Sequence, residues 1–340
     1  MDYDAILITS FGGPEGPADV MPFLENVLRG KNVPRERMLE VAEHYQHFGG
    51  KSPINDQNRN LIAALEVELT EKGPHLPIYW GNRNWHPLLA NTLQQMKADG
   101  IRRALAFVTS AYSSYSSCRQ YREDIARAQA SVGQGALMVD KIRVFYNHPG
   151  FVEATADRIQ HALETIPPAR RKAANLIHTA HSIPVVMAQT SDYEKQLKET
   201  ARLVSEKLGR TPEEWLLAYQ SRSGPPSQPW LEPDILDVLR KLKEQGGSSD
   251  VVIAPIGFVS DHMEVLFDLD TEAHELCLEL GLNMVRAETV GTHPRFITMI
   301  RELILERVEG GQTRDALGTM GPRPDACPPD CCPLPTRPPR

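Results

Sequence analysis

Cysteine is scarce until the chain is nearly over. Of five in 340 residues, Cys118 and Cys277 stand alone, while Cys327, Cys331 and Cys332 crowd the last fourteen positions. An odd count distributed this way excludes the disulfide framework of small secreted domains and points to metal ligation instead. No apolar run approaches the roughly 20 residues that a membrane helix requires. Met1-Asp2-Tyr3-Asp4 lacks the basic stretch and apolar core of an export signal, so a cytoplasmic chain is expected. Positive charge is not in excess. The 37 Lys and Arg against 44 Asp and Glu leave a net charge of -7 and a pI near 5.9, which argues against nucleic acid as the main partner. The His-Glu-x-x-His helix motif of zinc proteases and the Gly-x-Gly-x-x-Gly dinucleotide fingerprint are both missing, which weakens hydrolase and dehydrogenase readings.

What is present is the composition of an ordinary globular enzyme, 41% hydrophobic and 24% charged, long enough for two domains with real cores. Short apolar runs alternate with helical periods. Strands are expected at residues 5–10, 77–80, 104–109, 142–146, 175–179, 215–218 and 251–256. Helices are expected at 18–28, 35–45, 57–71, up to 98, beyond 121, and at 149–166, 189–208 and 233–245. This alternation predicts an α/β fold of doubly wound, Rossmann-like sheets. The halves rhyme. Ile6-Leu7-Ile8-Thr9-Ser10-Phe11-Gly12 and Leu176-Ile177-His178-Thr179-Ala180-His181-Ser182 each break from a strand into a small-residue turn, and residues 107–112 and 254–258 end strands at corresponding places. Two similar domains facing a cleft are therefore expected, over residues 1–140 and 141–310, with ligands at the carboxyl ends of the strands. A Pro- and Cys-rich tail, 311–340, should lack regular structure.

The stretch Gly257-Phe258-Val259-Ser260-Asp261-His262-Met263-Glu264 follows the last apolar run and switches to helical period, with Ser260 or Asp261 as N-cap. Glu264, Asp268 and Glu272 then recur at i, i+4 and i+8, a row that serves either as a cation path or as a solvated acidic face. His181 stands at a strand end, a position open to structural and catalytic roles alike. His178, three residues back, lies on the opposite strand face and is not its partner. Cys277 falls in step with Leu269, Ala273 and Leu280 and is expected in the core.

Thr179-Ala180-His181-Ser182-Ile183-Pro184 taken with residues 257–264 resembles the paired signature of ferrochelatases. Phe11-Gly12-Gly13-Pro14, Gly49-Gly50-Lys51-Ser52-Pro53, Gly81-Asn82-Arg83-Asn84-Trp85, Gln220-Ser221-Arg222-Ser223-Gly224-Pro225 and Trp230-Leu231-Glu232-Pro233 resemble the family as well, in order, over residues 4–310. The likeness is strongest to the actinobacterial coproporphyrin ferrochelatases. It implies two chelatase-type domains and insertion of Fe(2+), the metal substrate, into a porphyrin in haem biosynthesis, with coproporphyrin III favoured over protoporphyrin IX. His181 and Glu264 would be the catalytic pair and hold the iron, with Asp268 and Glu272 continuing the metal path. Arg29, His44, Tyr45, Ser52 and Tyr121 would meet the porphyrin propionates. Where some relatives place a tyrosine that ligates product iron, this chain has Phe11, which cannot coordinate.

The resemblance also implies a [2Fe-2S] cluster on Cys118, Cys327, Cys331 and Cys332, against the alternative of a free tail. The chemistry suits these residue types, because metal insertion strips water from a divalent ion and removes two pyrrole protons, work for an imidazole and a carboxylate. Rival readings are cobalt or nickel insertion on the same fold and a two-lobed haem or solute binder that does no chemistry.

Overall fold

The computed structural model of the protein describes residues 2–30, 33–225, 227–310 and 313–334. Eight strands form two four-stranded sheets. β1 (Ala5–Ser10), β2 (Ile78–Asn82), β3 (Arg103–Val108) and β4 (Met138–Lys141) are ordered β2-β1-β3-β4. β5 (Asn175–His181), β6 (Trp215–Gln220), β7 (Asp250–Ala254) and β8 (Asn283–Arg286) repeat that order as β6-β5-β7-β8. Every pairing is parallel. The central strands are continuous apolar runs buried on both faces, as parallel sheets covered by helices require.

The expected doubly wound α/β architecture in two similar halves is thus what the chain adopts. Residues 313–334 contain no helix or strand, as their proline content predicts. They are nevertheless held down. Arg122 donates to the carbonyls of Cys327, Pro328 and Pro329, Asn147 to those of Leu317 and Gly321, and Arg323 pairs with Asp192. A proline-rich segment can offer mainly acceptors, and the body of the protein supplies the donors.

The structure corrects three expectations. Residues 142–146 are not a strand; the fourth strand of the first sheet is β4, immediately before them. The apolar run there is buried because it crosses between the halves, stacking Phe145 on Phe107 at 5.2 Å and sending a buried Arg143 to Glu306. β8 and the last helix, Pro294–Val308, were not anticipated. That helix returns to the first half, where Arg301 donates to the carbonyls of Lys72 and Gly73 at the end of helix Ile54–Lys72. Finally, the N-cap before Glu264 is His262, whose ring accepts from the Glu264 N–H at 3.2 Å. Asp261 is engaged elsewhere, its side chain by Arg286 and its N–H by Gln57.

Candidate active site

β5 ends at His181, at the mouth of the cleft. The ring Nδ1 donates to the carbonyl of Ser182, which leaves Nε2 facing the Glu264 carboxylate at 3.5 Å. Gly257 makes this approach possible. A Cβ there would sit 2.7 Å from Ala180 Cα and Cβ, so any side chain would push the turn after β7 away from the strand end that carries His181. Gln220, the neighbour of His181 across the β5–β6 pair, ties the two sides together. Its amide donates to the Glu264 carbonyl at 3.0 Å, and its own carbonyl accepts from Ser182 N–H at 2.8 Å.

Burial works against a charged His181, but the Glu264 carboxylate, the Ser182 carbonyl and Asp268 outweigh it and raise the ring to about 9. Burial likewise works against a charged Glu264, and His181 outweighs it, holding the carboxyl near 2. The resting pair is therefore imidazolium and carboxylate. Asp268 is pushed up to about 7 by burial, opposed by a hydrogen bond from Ser221 and reinforced by Glu264 and Glu272. Glu272 is raised too, by burial and then by Asp234 and Glu275.

The acidic row keeps its line through a change of helix type. Met263–Phe267 is α-helical, Asp268–Ala273 is a π-turn, and His274–Leu280 is α-helical again. Four α positions carry a side chain about 40° past its starting line. Four π positions, at about 4.4 residues per turn, fall roughly 30° short of one. The two drifts offset each other, so by ideal geometry Glu272 returns to within about 10° of the line of Glu264, where a straight α-helix would place it about 80° away. Among the described residues, no three His, Cys, Asp or Glu side chains converge into a metal cage. The site is a pair with a row leading to it, which suits an ion in transit.

The first half contributes an aromatic cluster. Phe11, 37% exposed, meets Phe23 at 6.3 Å, and Phe23 in turn meets Tyr45 and Trp85 at 5.8 and 6.1 Å. His44 stacks on Phe267 at 3.6 Å, joining helix Arg35–His47 to the acidic helix. Of the other residues expected at the propionates, Arg29 is exposed, while Ser52 and Tyr121 are buried. The Ser52 hydroxyl faces its own Ile54 N–H, and Tyr121 lies under the Arg83 guanidinium at 4.5 Å. The sequence reading did not single out Arg83, though it lies within a quoted motif. It pairs with Asp124 and covers both Tyr121 and Phe11, tying the cluster to the first sheet.

Of the four expected cluster cysteines, Cys331 and Cys332 touch, and among the described residues no three of the four converge on one metal position. The Cys118 thiol donates to the Ser114 carbonyl at 3.9 Å, and the proximity of Cys332 lowers the Cys118 thiol and raises that of Cys332. Cys331 and Cys332 sulfurs are 3.5 Å apart, and Cys327 is raised by burial and by the nearby Cys331 and Cys118. Cys277 is fully buried in the second half's core, as expected.

Two parallel sheets of matching order, with a histidine–carboxylate pair beyond the carboxyl end of β5 in the second, define a chelatase-type fold. The sirohydrochlorin chelatase SirB of Bacillus subtilis subspecies spizizenii, solved with cobalt, has that fold, with a TM-score of 0.55 at 12% identity over 91% of this chain and 97% of its own. The ferrochelatase family model matches residues 3–308, and the chain belongs to the ferrochelatase family. A protein of Rhodopirellula baltica described as a ferrochelatase is 60% identical over 97% of this chain and 93% of its own length. Coproporphyrin III ferrochelatases of Streptomyces coelicolor and Nocardia farcinica are 50% and 51% identical, over 97% and 91% of this chain and 93% and 90% of theirs. The protein is a metal-inserting lyase of haem biosynthesis whose substrates are ferrous iron and a porphyrin. None of its described helices is long and apolar enough to cross a membrane.

Proposed function

We propose that iron enters the porphyrin between His181 and Glu264, that Asp268 and Glu272 conduct it there, and that coproporphyrin III is the physiological macrocycle. The observation that carries this is the pair itself: Nε2 of a fixed imidazole 3.5 Å from a carboxylate. The imidazolium and carboxylate form a closed pair at rest. A divalent ion taken up by Glu264 repels the imidazolium proton, which leaves through the half-protonated Asp268 and water. Nε2 is then free to accept a proton from a pyrrole nitrogen as the metal replaces it. The second pyrrole proton leaves along the same carboxylates, so two protons depart for each ion inserted.

Support for coproporphyrin III comes from the Streptomyces and Nocardia relatives, whose descriptions name that substrate, while the Rhodopirellula description names none. Coproporphyrin III carries two more propionates than protoporphyrin IX. Arg29, which is exposed, together with His44 and Tyr45, is assigned to them, and Ser52 and Tyr121 would reach them only through a shift of their present partners.

The proposal includes a [2Fe-2S] cluster on Cys118, Cys327, Cys331 and Cys332. The four thiols are the right donor type and lie near Arg119, Arg122 and Lys141, but among the described residues no three of them converge on one metal position, so the tail would have to shift for all four to bind. Such a cluster would supply covalent anchorage of the tail. It also includes residues 1–140 and 141–310 as the two domains, and a cytoplasmic setting in which the free thiols stay reduced.

Anaerobic ferrous iron added to protein with each porphyrin tests the reading through loss of porphyrin fluorescence. We expect a higher kcat/KM with coproporphyrin III, and a reddish purified protein with acid-labile sulfide and visible bands that vanish on Cys118→Ser. A preference for protoporphyrin IX would overturn the substrate assignment. Colourless, sulfide-free protein from cells competent in cluster assembly would remove the cluster alone.

A further inference from the structure

We infer that Arg286 is a positioning residue for metal insertion, a clamp behind the acidic helix that fixes the register of Glu264, Asp268 and Glu272. It is the last residue of the edge strand β8, and the guanidinium spans two carboxylates. Nε and Nη2 reach the two oxygens of Asp270 at 2.5 and 3.0 Å, and Nη1 and Nη2 reach those of Asp261 at 3.3 Å each. Both contacts are bidentate, which uses the planar fork that only arginine offers.

The two carboxylates bracket the working residues. Asp261 lies three positions before Glu264, and Asp270 lies two after Asp268, inside the π-turn. Asp261 is also the point at which the other half touches this segment, its N–H donating to Gln57 on helix Ile54–Lys72 at 2.8 Å. One guanidinium therefore references the start of the helix, the π-turn and, through Asp261, the first sheet's side of the cleft.

The π-turn is the element in need of such a hold. It accommodates one residue more than an α turn, and reverting to α geometry would rotate the chain beyond it by about 100°. Glu272 would then leave the line of Glu264, and Asp270 would swing away from Arg286. Partly buried ion pairs contribute little net stability, but they do select one arrangement over another. Three acids in file repel one another, and a fixed cation on the far side of the same segment resists their spreading.

This inference rests on the reading that the acidic row handles iron. The test compares Arg286→Met, Arg286→Lys and Asp270→Asn, measuring KM for ferrous iron, porphyrin affinity by fluorescence quenching, and Tm. We expect Arg286→Met and Asp270→Asn each to raise the iron KM about tenfold while porphyrin affinity stays within about twofold, Arg286→Lys to recover only part of the loss, and the double variant to be no worse than Arg286→Met. Asp270→Asn keeps size and shape and decides the matter where Arg286→Met does not fold. An iron KM within about twofold of wild type in Asp270→Asn, with only Tm lowered, would overturn the clamp. Glu264→Gln separates the two readings: if it is inactive while Asp270→Asn keeps a normal iron KM, the clamp alone fails, and if it turns over normally the site reading fails and the clamp with it.

Discussion

The two halves of this molecule share a scaffold but carry different side chains at their strand ends. β1 ends in Ser10 and is followed by Phe11, β5 ends in His181 and is followed by Ser182, and β2 ends in Asn82 where β6 ends in Gln220. The polar groups of the first half are turned inward. Ser10 accepts from Asn58 at 2.9 Å, and Asn82 donates to the His86 carbonyl at 3.1 Å, so neither offers chemistry to the cleft. What that half presents is flat and apolar: Phe11, backed by Phe23 and Trp85. The second half presents an imidazole and a row of acids. Strand ends in an open α/β sheet are where ligands are met, and under the proposed reading duplicating the sheet would let one set of ends hold the macrocycle while the other moves protons and metal.

The largest expected effect breaks that division directly. His181→Ala and Glu264→Gln should each lower kcat for iron insertion by about 10²- to 10⁴-fold while porphyrin affinity changes little. Phe11→Ala in the first half's aromatic cluster should do the reverse, weakening porphyrin binding by about 1–2 kcal/mol, roughly five- to thirtyfold, with a smaller loss of kcat. Stopped-flow turnover and fluorescence titration on the same three variants decide it. Near-normal turnover in His181→Ala, or an equal loss of both quantities in Phe11→Ala, would show that the halves are not specialised in this way.

A smaller effect sharpens the comparison within the second half. If the row conducts iron, removing a charge near the pair costs more than removing one at the far end. Asp268→Asn should raise the iron KM by about fivefold, equivalent to ~1 kcal/mol of lost attraction at a half-buried site. Glu272→Gln, on an exposed side chain, should raise it by about twofold. Iron titrations at fixed porphyrin measure both, and equal losses at 264, 268 and 272 would make the row a structural feature of the helix.

Much of this could be read from the chain, and the failures have identifiable causes. The rhyme between residues 6–12 and 176–182 carried the duplicated fold, because a buried parallel strand and its glycine or small-residue turn are both written locally. The acidic row was legible from its spacing, but the π-turn within it was not, since nothing in Asp268–Ala273 marks it and the arginine that pairs with its Asp270, Arg286, lies on the distant strand β8. Residues 142–146 read as a strand because an apolar crossing between halves has a strand's composition. β8 escaped because it is a four-residue edge strand, and helix Pro294–Val308 because its charges mask a buried face of Phe296, Ile300, Leu303 and Ile304. Of the propionate candidates, Tyr121 is packed beneath Arg83, a tertiary contact that spacing alone could not reveal.

The subtlest test asks whether the pair in the second half is charged at rest, as the difference between the halves requires. Its ring pKa is raised to about 9, so the His181 contribution to stability is fully present below the ordinary value of 6.5 and is lost as pH rises through about 9. Glu264 is held near 2, so its contribution is present above the ordinary 4.5 and is lost only as pH falls toward 2. Both are satisfied together between about pH 4.5 and 6.5. The difference in Tm between wild type and Glu264→Gln should therefore be widest in that window and close above pH 9. The gap should be small, equivalent to ~1 kcal/mol or less, because nearly half of the Glu264 side chain (47%) is open to water, which screens the pair. In the same variant the His181 ring, followed by NMR, should titrate at or below 6.5, since burial then acts without its main opponent. A His181 titration that stays near 9 in Glu264→Gln would mean that the Ser182 carbonyl and Asp268 hold the proton, and that Glu264 is free to meet iron without first giving up its partner.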